Sequence, residues 1–362
     1  MSVPRLRLVH ETNPEKYFPA LSWLASQGYV VMAGAHRYSV GKEWLRAWLR
    51  ERKPLSRRTM DAVGDLRFRL MLRLVKEEVI VIGFAPWDWR ILLYRGLAQR
   101  NRILYQTSWH DWGLERVPRQ PGPPVLRRWL RREWLAFLER PSVSVIAVTP
   151  AAAEAVTAAT HQVARVIPHA VPEEFFDVGG ARVRPATSSL RLLFVGEVAR
   201  KKGVELLLDL MRDLGRCGST LTFVGNGAME DAVAHAGGAI TFLGPVRDRV
   251  HLARIMSEHD VLVLPSMRTG KWEELFGIVI VEALAAGLAV LASDHVGPRS
   301  VLAPVNGAGL LPEGDLTAWR NAIQALVEDA SRLERLRILQ RQVAANYRIG
   351  AVAKLWLEEI TR

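Results

Sequence analysis

The chain has 362 residues, of which 49% are hydrophobic and 24% charged, and its net charge is +12. This length suggests two domains of ordinary size, and the composition excludes a disordered or fibrous protein. No apolar run approaches the roughly 20 residues needed to cross a bilayer, and the first residues lack a signal-peptide pattern. A cytosolic protein is therefore expected.

The charge is distributed unevenly along the chain. Lys and Arg outnumber Asp and Glu by 13 in residues 1–170, whereas residues 171–362 have a net charge of −1. Residues 37–58 alone contain eight Lys or Arg against two Glu. This excess predicts that the first half meets a phosphate-rich partner, which is an anionic lipid surface, a nucleic acid or an anionic glycan.

The first half alternates short apolar strands with helical segments, which is typical of a parallel sheet with helices on both faces. The predicted strands are RLRLVHE at 5–11, YVVMAGA at 29–35, VIVIGFA at 79–85, RILYQTSW at 102–109 and VSVIAVT at 143–149. The fourth strand leads into His110 and Asp111, and the carboxyl end of a strand is where an open α/β sheet binds ligands. Trp87, Trp89, Trp109 and Trp112 follow strands in the same way and are candidates for stacking on a sugar, with partial burial as the alternative.

Residues 125–140 form a predicted basic amphipathic helix. Its apolar residues recur at helical spacing, and four arginines occupy the other faces: Leu126, Trp129, Leu130, Trp134, Phe137 and Leu138 against Arg127, Arg128, Arg131 and Arg132. Such a helix either lies on the cytosolic face of an anionic membrane or packs its apolar face into the core. Both interpretations stay open.

A boundary follows, because residues 165–187 contain three prolines and a Gly-Gly pair with little periodicity. After it the strand and helix alternation restarts with LRLLFVG, LTFVG, ITFLG, VLVLP and AVLASD. The sequence predicts an N-terminal domain over 1–172, a linker over 173–187, a C-terminal domain over 188–344 and a helix over 345–362 that packs back on the first domain. The fold class is α/β, with two Rossmann-like doubly wound parallel sheets facing a cleft.

Two features of the second half indicate chemistry. Arg200, Lys201 and Lys202 lie in the loop between a strand and a helix, where backbone N–H groups and cations bind phosphate, although a solvated loop also explains them. The segment EELFGIVIVEALAAGLAVLASD at 273–294 separates Glu274 from Glu282 by seven residues. A carboxylate inside an apolar helix, as at Glu282, is costly unless it is bound, by a ligand or by an arginine.

This segment resembles the donor-binding motif of glycosyltransferase family 4, whose members are retaining enzymes of two Rossmann-like domains (GT-B architecture). LLFVGEVARKKGVELLL, LTFVGNG, ITFLGPV and HDVLVLPS resemble the family's other motifs in the same order. The resemblance covers residues 165–330 strongly and the first half only thinly. Two positions depart from the family: Glu197 replaces a frequent arginine, and DHVGPRSVL lacks a frequent glutamate, for which only Arg299 or Ser300 offers a substitute.

The resemblance implies a role for each matching residue. Lys202, with Arg200 as the second cation, would stabilise the leaving diphosphate, Glu274 would orient the sugar, and Glu282 would bind the ribose hydroxyls. His110 would contact the donor sugar or phosphate. The remaining donor-binding candidates are Phe276, Gly277, Ile278, Gly196, Gly225 and Ser266.

The predicted function is therefore retaining transfer of a sugar from a nucleoside diphosphate sugar to a glycan or lipid-linked acceptor. No cofactor or metal is expected, in agreement with the absence of an Asp-x-Asp triplet. The basic half predicts a peripheral position at an anionic membrane. A sugar-nucleotide epimerase of the same architecture and a nucleic-acid-binding protein are the alternatives, although nucleic acid would leave Glu274 and Glu282 unexplained.

Overall fold

A computed structural model describes residues 3–10, 17–37, 57–113, 122–179, 189–270 and 272–362, without the side chains of 57–62. The basic stretch 37–58 lies almost entirely outside the described residues. The chain forms two compact units, unit 1 with Met1–Ala170 and Val352–Arg362, and unit 2 with Val171–Ala351.

Unit 1 contains a six-stranded parallel sheet in the order β2-β1-β3-β4-β5-β6. Apolar residues form its central strands because both faces are covered; all five residues of β3 are buried. The strands are β1 (Arg5–His10), β2 (Val31–Arg37), β3 (Val79–Gly83), β4 (Arg102–Thr107), β5 (Val143–Ala147) and β6 (Ala164–Val166). The helices are α1 (Pro19–Ser26), α2 (Arg57–Leu70), α3 (Ile91–Tyr94), α4 (Pro124–Leu138) and α5 (Pro150–Thr160).

Unit 2 contains a second six-stranded parallel sheet, in the order β12-β11-β10-β7-β8-β9. Its strands are β7 (Arg191–Val195), β8 (Thr220–Val224), β9 (Ile240–Phe242), β10 (Val261–Leu264), β11 (Ala289–Ser293) and β12 (Leu310–Leu311). Its helices are α6 (Glu173–Val178), α7 (Val204–Leu214), α8 (Glu230–Ala234), α9 (Arg249–Ser257), α10 (Ile278–Ala285), α11 (Val296–Leu302), α12 (Leu316–Glu328) and α13 (Ala330–Ala344). The prediction of two Rossmann-like parallel sheets is confirmed.

Side-chain caps fix where several helices begin. Thr149 accepts a hydrogen bond from the Ala152 N–H and precedes a proline at the first position of α5. Asp248 accepts from the backbone N–H groups of Val250 and His251 at the start of α9. These caps satisfy backbone N–H groups that the first turn of each helix leaves without a partner inside the helix.

The segment expected to be an irregular linker contains a helix. Residues Glu173–Val178 form α6, which packs against α9 and α10. The helix is held by Phe175, whose side chain is fully buried. A single apolar anchor of this kind leaves no periodicity in the sequence, which explains why the helix was not predicted.

The last helix, α14 (Ile349–Thr361), passes from unit 2 into unit 1. Within unit 1 its Trp356 ring meets the Phe18 ring edge-on at 6.0 Å, and Glu359 accepts a hydrogen bond of 3.0 Å from Arg102. Glu359 is almost completely buried, so these contacts make residues 352–362 an integral part of the core of unit 1.

Candidate functional site

The candidate donor site lies at the carboxyl edge of the sheet of unit 2, where the strand order reverses between β7 and β10. Open α/β sheets bind ligands at such switch points, because the connections from the two neighbouring strands leave in opposite directions and open a crevice. The loops after β7 and β10 and the residues before α10 surround this point.

Lys202 ends a short 3₁₀ turn, Arg200–Lys202, that follows β7. The next residue must be glycine, since Gly203 has φ +74° and a Cβ there would lie 1.9 Å from the Pro265 carbonyl oxygen. The turn is therefore pressed against the loop after β10, and its last lysine is held at the sheet edge.

Lys202 and Glu274 form the central ion pair of the site. The Lys202 Nζ lies 2.5 Å from the Glu274 Oε2, and the two side chains are only 15% and 14% exposed. The Lys202 ammonium also lies 4.6 Å from the centroid of the Trp272 ring, within the range of a cation–π interaction. The lysine is thus oriented by a carboxylate and an aromatic face together.

Arg200 does not join this cluster. Its side chain is 81% exposed and pairs with Glu205 on α7 at 3.1 Å. Lys201 pairs with Glu197, the residue that departs from the family pattern, at 2.6 Å. Of the three neighbouring cations, only Lys202 is brought to Glu274.

Glu282 lies inside α10 with 2% of its surface exposed. The guanidinium of Arg249, the first residue of α9, donates a hydrogen bond of 2.5 Å to its Oε1. The arginine itself lies over the ring of Phe175 at 4.8 Å. The ion pair left open as an alternative by the sequence is therefore present, and it offsets part of the cost of burying the carboxylate.

The residues before α10 form a tight entry into the helix. Gly277 has φ +72°, which glycine adopts without strain, and caps the start of α10. Phe276 is buried and packs edge-on against Tyr347 at 6.0 Å. Ile278, the first residue of the helix, is half-buried.

The other predicted donor-binding residues line the ends of β7, β8 and β10. A Cβ on Gly225 would lie 1.8 Å from the carbonyl oxygen of Gly196, so the two loops touch through their backbones. Ser266 is 1% exposed, and its hydroxyl has no hydrogen-bond partner among the described residues.

A polar cluster next to Glu274 was not predicted from the sequence. His295 is fully buried; its Nδ1 accepts a hydrogen bond of 3.2 Å from the Glu274 backbone N–H, and its Nε2 lies 3.2 Å from a Glu313 oxygen. Burial, and then Arg268, lowers the pKa of His295, which favours the neutral ring that accepts this bond. Arg268 in turn binds both Glu273 and Glu313. The only sequence signal was a histidine directly after the S-D strand end.

Neither expected substitute for the missing family glutamate enters the site. Arg299 pairs with Asp294 at 2.8 Å, which lowers the pKa of that carboxyl, and is 60% exposed. The Ser300 hydroxyl donates to the carbonyl of Val296 within its own helix. These local bonds satisfy both side chains without a ligand.

Unit 1 has a pocket of about 170 Å³ at its own switch point, between β1 and β3. Its polar lining is made by uncharged and imidazole groups, namely His10, Tyr17, Gln106, Thr107, Ser108, Trp109 and His169. His169 donates from Nδ1 to the carbonyl of Tyr17 at 3.1 Å, and burial lowers its pKa to about 4. No Asp, Glu, Lys or Arg lines the pocket among the described residues, although the unit is strongly basic.

The aromatic candidates of unit 1 divide into two groups. Trp87 and Trp112 are 1% and 6% exposed and pack edge-on in the core, so burial, the alternative to stacking on a sugar, holds for both. Trp109 lines the pocket, and Trp89 is 53% exposed. His110 is half-buried directly after Trp109.

Helix α4 has most of its apolar face in the core of unit 1. Leu130, Trp134, Phe137 and Leu138 are buried, whereas Leu126 and Trp129 are exposed. The Arg131 guanidinium lies 5.3 Å from the ring of Trp87 and so contributes to packing. The core-packing interpretation holds from Leu130 to the end of this helix.

Comparison with known proteins adds three findings. Residues 189–329 match the family model described as glycosyl transferases group 1. The phosphatidyl-myo-inositol mannosyltransferase of Mycobacterium leprae is 35% identical over 168 residues, which are 45% of this chain and 44% of that protein. The D-inositol 3-phosphate glycosyltransferase of Nocardia farcinica is 32% identical over 181 residues, 46% of this chain and 39% of that protein. The matches thus span less than half the length of these relatives.

Solved structures resemble the whole chain. Anabaena HepE in complex with UDP and glucose superposes with a TM-score of 0.66 at 16% identity, covering 99% of both chains. Sucrose-phosphate synthase from Thermosynechococcus elongatus gives 0.68 at 20% identity, covering 99% of this chain and 98% of that one. At these identities the likeness establishes the fold, which is the GT-B architecture.

Proposed function

We propose that the chain transfers a sugar from a nucleoside diphosphate sugar to a hydroxyl of a glycan or lipid-linked acceptor, because residues 189–329 match the family model of the group 1 glycosyl transferases. The observation that supports this most directly is the Lys202–Glu274 pair. It combines a held cation and a carboxylate at the switch point of the sheet, inside the segment that matches the family.

The pair can stabilise both charges that develop when the bond between a sugar and a diphosphate breaks. Lys202 stabilises the negative charge that accumulates on the leaving phosphate, and the backbone N–H groups at the start of α10 assist it. Glu274 accepts hydrogen bonds from sugar hydroxyls and faces the positive character of the anomeric carbon. In the absence of donor the two side chains neutralise each other, so the site is organised before the donor arrives.

Glu282 is proposed to bind the ribose hydroxyls through the carboxylate that Arg249 orients. Gly196, Gly225 and Ser266 are proposed to line the nucleotide, since glycine has no side chain and serine a small one, which allows the backbone to approach the nucleotide closely. Arg200 is proposed as an accessory cation whose exposed side chain reaches phosphate only after leaving Glu205.

The acceptor is proposed to present an uncharged hydroxylated ring to the pocket of unit 1, whose described lining contains no Asp, Glu, Lys or Arg. Hydrogen-bonding side chains beside the Trp109 ring are the usual surroundings of a sugar ring or polyol. His110, which follows this strand end, stays a proposed catalytic residue. Retention of the anomeric configuration and catalysis without a metal ion are part of the proposal.

The test begins with nucleotide sugars screened by thermal shift, since a ligand at 100 times its Kd stabilises by about 2.7 kcal/mol. The best donor is then incubated with a panel of glycans and lipid-linked sugars, and the anomeric configuration of the product is read by NMR. The expected result is release of the nucleoside diphosphate together with a glycosylated product, and neither is reduced by EDTA.

The outcomes separate the alternatives. Conversion of the donor into an isomer without transfer to any acceptor would assign the chain to the epimerases. Absence of stabilisation by every nucleotide sugar, together with salt-sensitive binding of DNA or RNA, would replace the proposal by the nucleic-acid alternative.

A further inference from the structure

One face of the sheet of unit 1 is covered by three helical segments that share a single core. These segments are α2 with the 3₁₀ turn Leu72–Leu74 that follows it, α3, and α4. Their inward side chains, among them Phe68, Ile91, Tyr94, Leu130 and Trp134, belong to one hydrophobic cluster. The outward side chains of all three segments therefore lie on the same side of the unit.

The outward side of α2 is apolar. Val63, Leu66, Leu70 and Leu74 are between 59% and 78% exposed and recur at intervals of three and four residues, which places them in one stripe. The opposite side of the helix is anchored, since Phe68 is buried and the Asp65 carboxylate accepts hydrogen bonds from His36 and the backbone N–H of Arg37. The exposure of the stripe is thus fixed by buried contacts on the other face.

The other two segments also expose large apolar side chains. α3 and the residue pair before it expose Trp89 and Leu93, and the first turns of α4 expose Val125, Leu126 and Trp129. With Met71, ten of the eighteen large apolar side chains that are exposed among the described residues belong to these three segments. A concentration of this kind on one side of a unit marks an interaction surface.

Exposed cations accompany the apolar side chains. Arg67 lies within the stripe of α2, Arg73 lies in the turn that follows it, and Arg128 and Arg132 are exposed on α4. Beyond the turn, the exposed Lys76 is offset by its exposed neighbour Glu77. Among the acidic residues of these segments, Glu133 is already paired with Arg95. The surface is therefore both apolar and positively charged.

We infer that this face, the docking face, lies on an anionic lipid bilayer, with the apolar stripe at the level of the acyl-chain boundary and the arginines at the headgroup phosphates. Exposed leucines, tryptophans and arginines on one side are the composition of interfacial segments. A second copy of the chain is disfavoured, because a symmetric contact would bring like charges together.

The inference extends the proposed function, since it names the surface at which a lipid-linked acceptor would be met. It also extends the membrane contact expected for the basic first half, and for α4 in particular, to the apolar stripe of α2. The stripe of α2 is absent from that expectation, and Arg131 of α4 is engaged with the ring of Trp87.

The experiment is flotation of the full chain with vesicles of phosphatidylcholine containing or lacking about 30 mol% phosphatidylglycerol, at low and high salt. The wild type is expected to bind the anionic vesicles and to lose most of that binding at high salt. The triple variant Leu66→Ser, Leu70→Ser, Leu74→Ser is expected to bind at least about 10-fold more weakly, as is Arg67→Glu combined with Arg73→Glu.

The matched control is Ile338→Ser with Leu339→Ser, which removes exposed apolar groups from unit 2 and leaves binding unchanged. Far-UV circular dichroism and donor-induced thermal shift verify that each variant is folded. The inference is overturned if the triple serine variant binds as well as the wild type, or if the wild type does not bind anionic vesicles. It is also overturned if the wild type is a dimer that the triple substitution dissociates. Donor turnover with a soluble acceptor is measured separately, so failure of the proposed function is distinguishable.

Discussion

At the scale of single residues, the two glutamates of the candidate site are predicted to act at different steps. Glu282→Ala is expected to weaken nucleotide binding, because it removes the buried carboxylate proposed for the ribose, whereas Glu274→Ala mainly lowers turnover. Titration calorimetry with the nucleoside diphosphate and steady-state kinetics separate the effect on binding from the effect on turnover. Arg249→Met is the control: if it reproduces every effect of Glu282→Ala, the carboxylate serves only its ion pair with Arg249.

Lys202 is predicted to carry most of the charge stabilisation. Lys202→Ala is expected to lower kcat by about 10²-fold or more, the scale for losing one preorganised group at a developing charge. Arg200→Ala should do less, because its side chain lies in solvent with Glu205. Arg212→Ala, which removes a solvent-exposed cation of α7, is the matched control, and an unchanged kcat in Lys202→Ala would move the role to another cation.

Trp272 is predicted to position Lys202 through its ring. Trp272→Leu removes the aromatic face 4.6 Å from the ammonium and is expected to lower kcat more than it raises KM. Trp272→Phe retains a weaker face and should recover part of the loss. Equal kcat in the leucine and phenylalanine variants would show that the ring acts only by its bulk.

The sequence predicted residues whose role follows from their own local motif. Glu274 and Lys202 stand at fixed positions beside strand ends, and the structure brings them together. Arg249 lies 33 residues from Glu282, and Glu313 lies 18 residues from His295, so no local pattern links either pair. Both interpretations of Trp87 stayed open at the level of the sequence, because a tryptophan after a strand has the same sequence context whether it faces a ligand or the core.

At the scale of elements, the cap of α9 is predicted to matter beyond its own helix. Asp248→Ala removes the acceptor for two backbone N–H groups and is expected to cost about 1 kcal/mol of unfolding free energy. Arg249 is the next residue, so the variant should also loosen the pair with Glu282. Urea unfolding measures the loss, and Asp209→Ala, which removes a surface carboxylate of α7, should stay within about 0.5 kcal/mol of the wild type.

Strands were the elements most accessible to sequence analysis. Buried parallel strands such as β3 and β10 are continuous apolar runs, and each appears near its predicted place. The helices α2 and α6 were not accessible in this way. The apolar stripe of α2 faces outward, and α6 depends on the single anchor Phe175, so tertiary contacts rather than periodicity determine both.

At the scale of the whole molecule, His169 is predicted to make unit 1 sensitive to acid. Burial lowers its pKa from 6.5 to about 4, so between these values the unfolded chain takes up a proton that the folded unit does not. Stability should therefore fall as the pH drops from 6.5 toward 4, by up to about 1.4 kcal/mol per pH unit. Urea unfolding followed by tryptophan fluorescence reports mainly on unit 1, since only Trp272 and Trp319 belong to unit 2.

His169→Gln is expected to reduce the fall of the unfolding free energy between pH 6.5 and 4. Its effect on the unfolding free energy at pH 8 should be smaller. His259 in unit 2, whose pKa is also lowered by burial, remains in the variant and accounts for residual sensitivity. An unchanged slope in His169→Gln would assign the acid sensitivity to other groups.

The passage of α14 from unit 2 into unit 1 has a consequence for biosynthesis. Residues 352–362 supply Trp356 to the Phe18 ring and Glu359 to Arg102, yet the ribosome makes them only after all of unit 2. Unit 1 is translated first, but until these residues emerge the apolar surface around Phe18 is uncovered and the half-buried Arg102 lacks its carboxylate partner. During that interval a nascent-chain chaperone would find its binding site on the older half of the polypeptide rather than on the newer one.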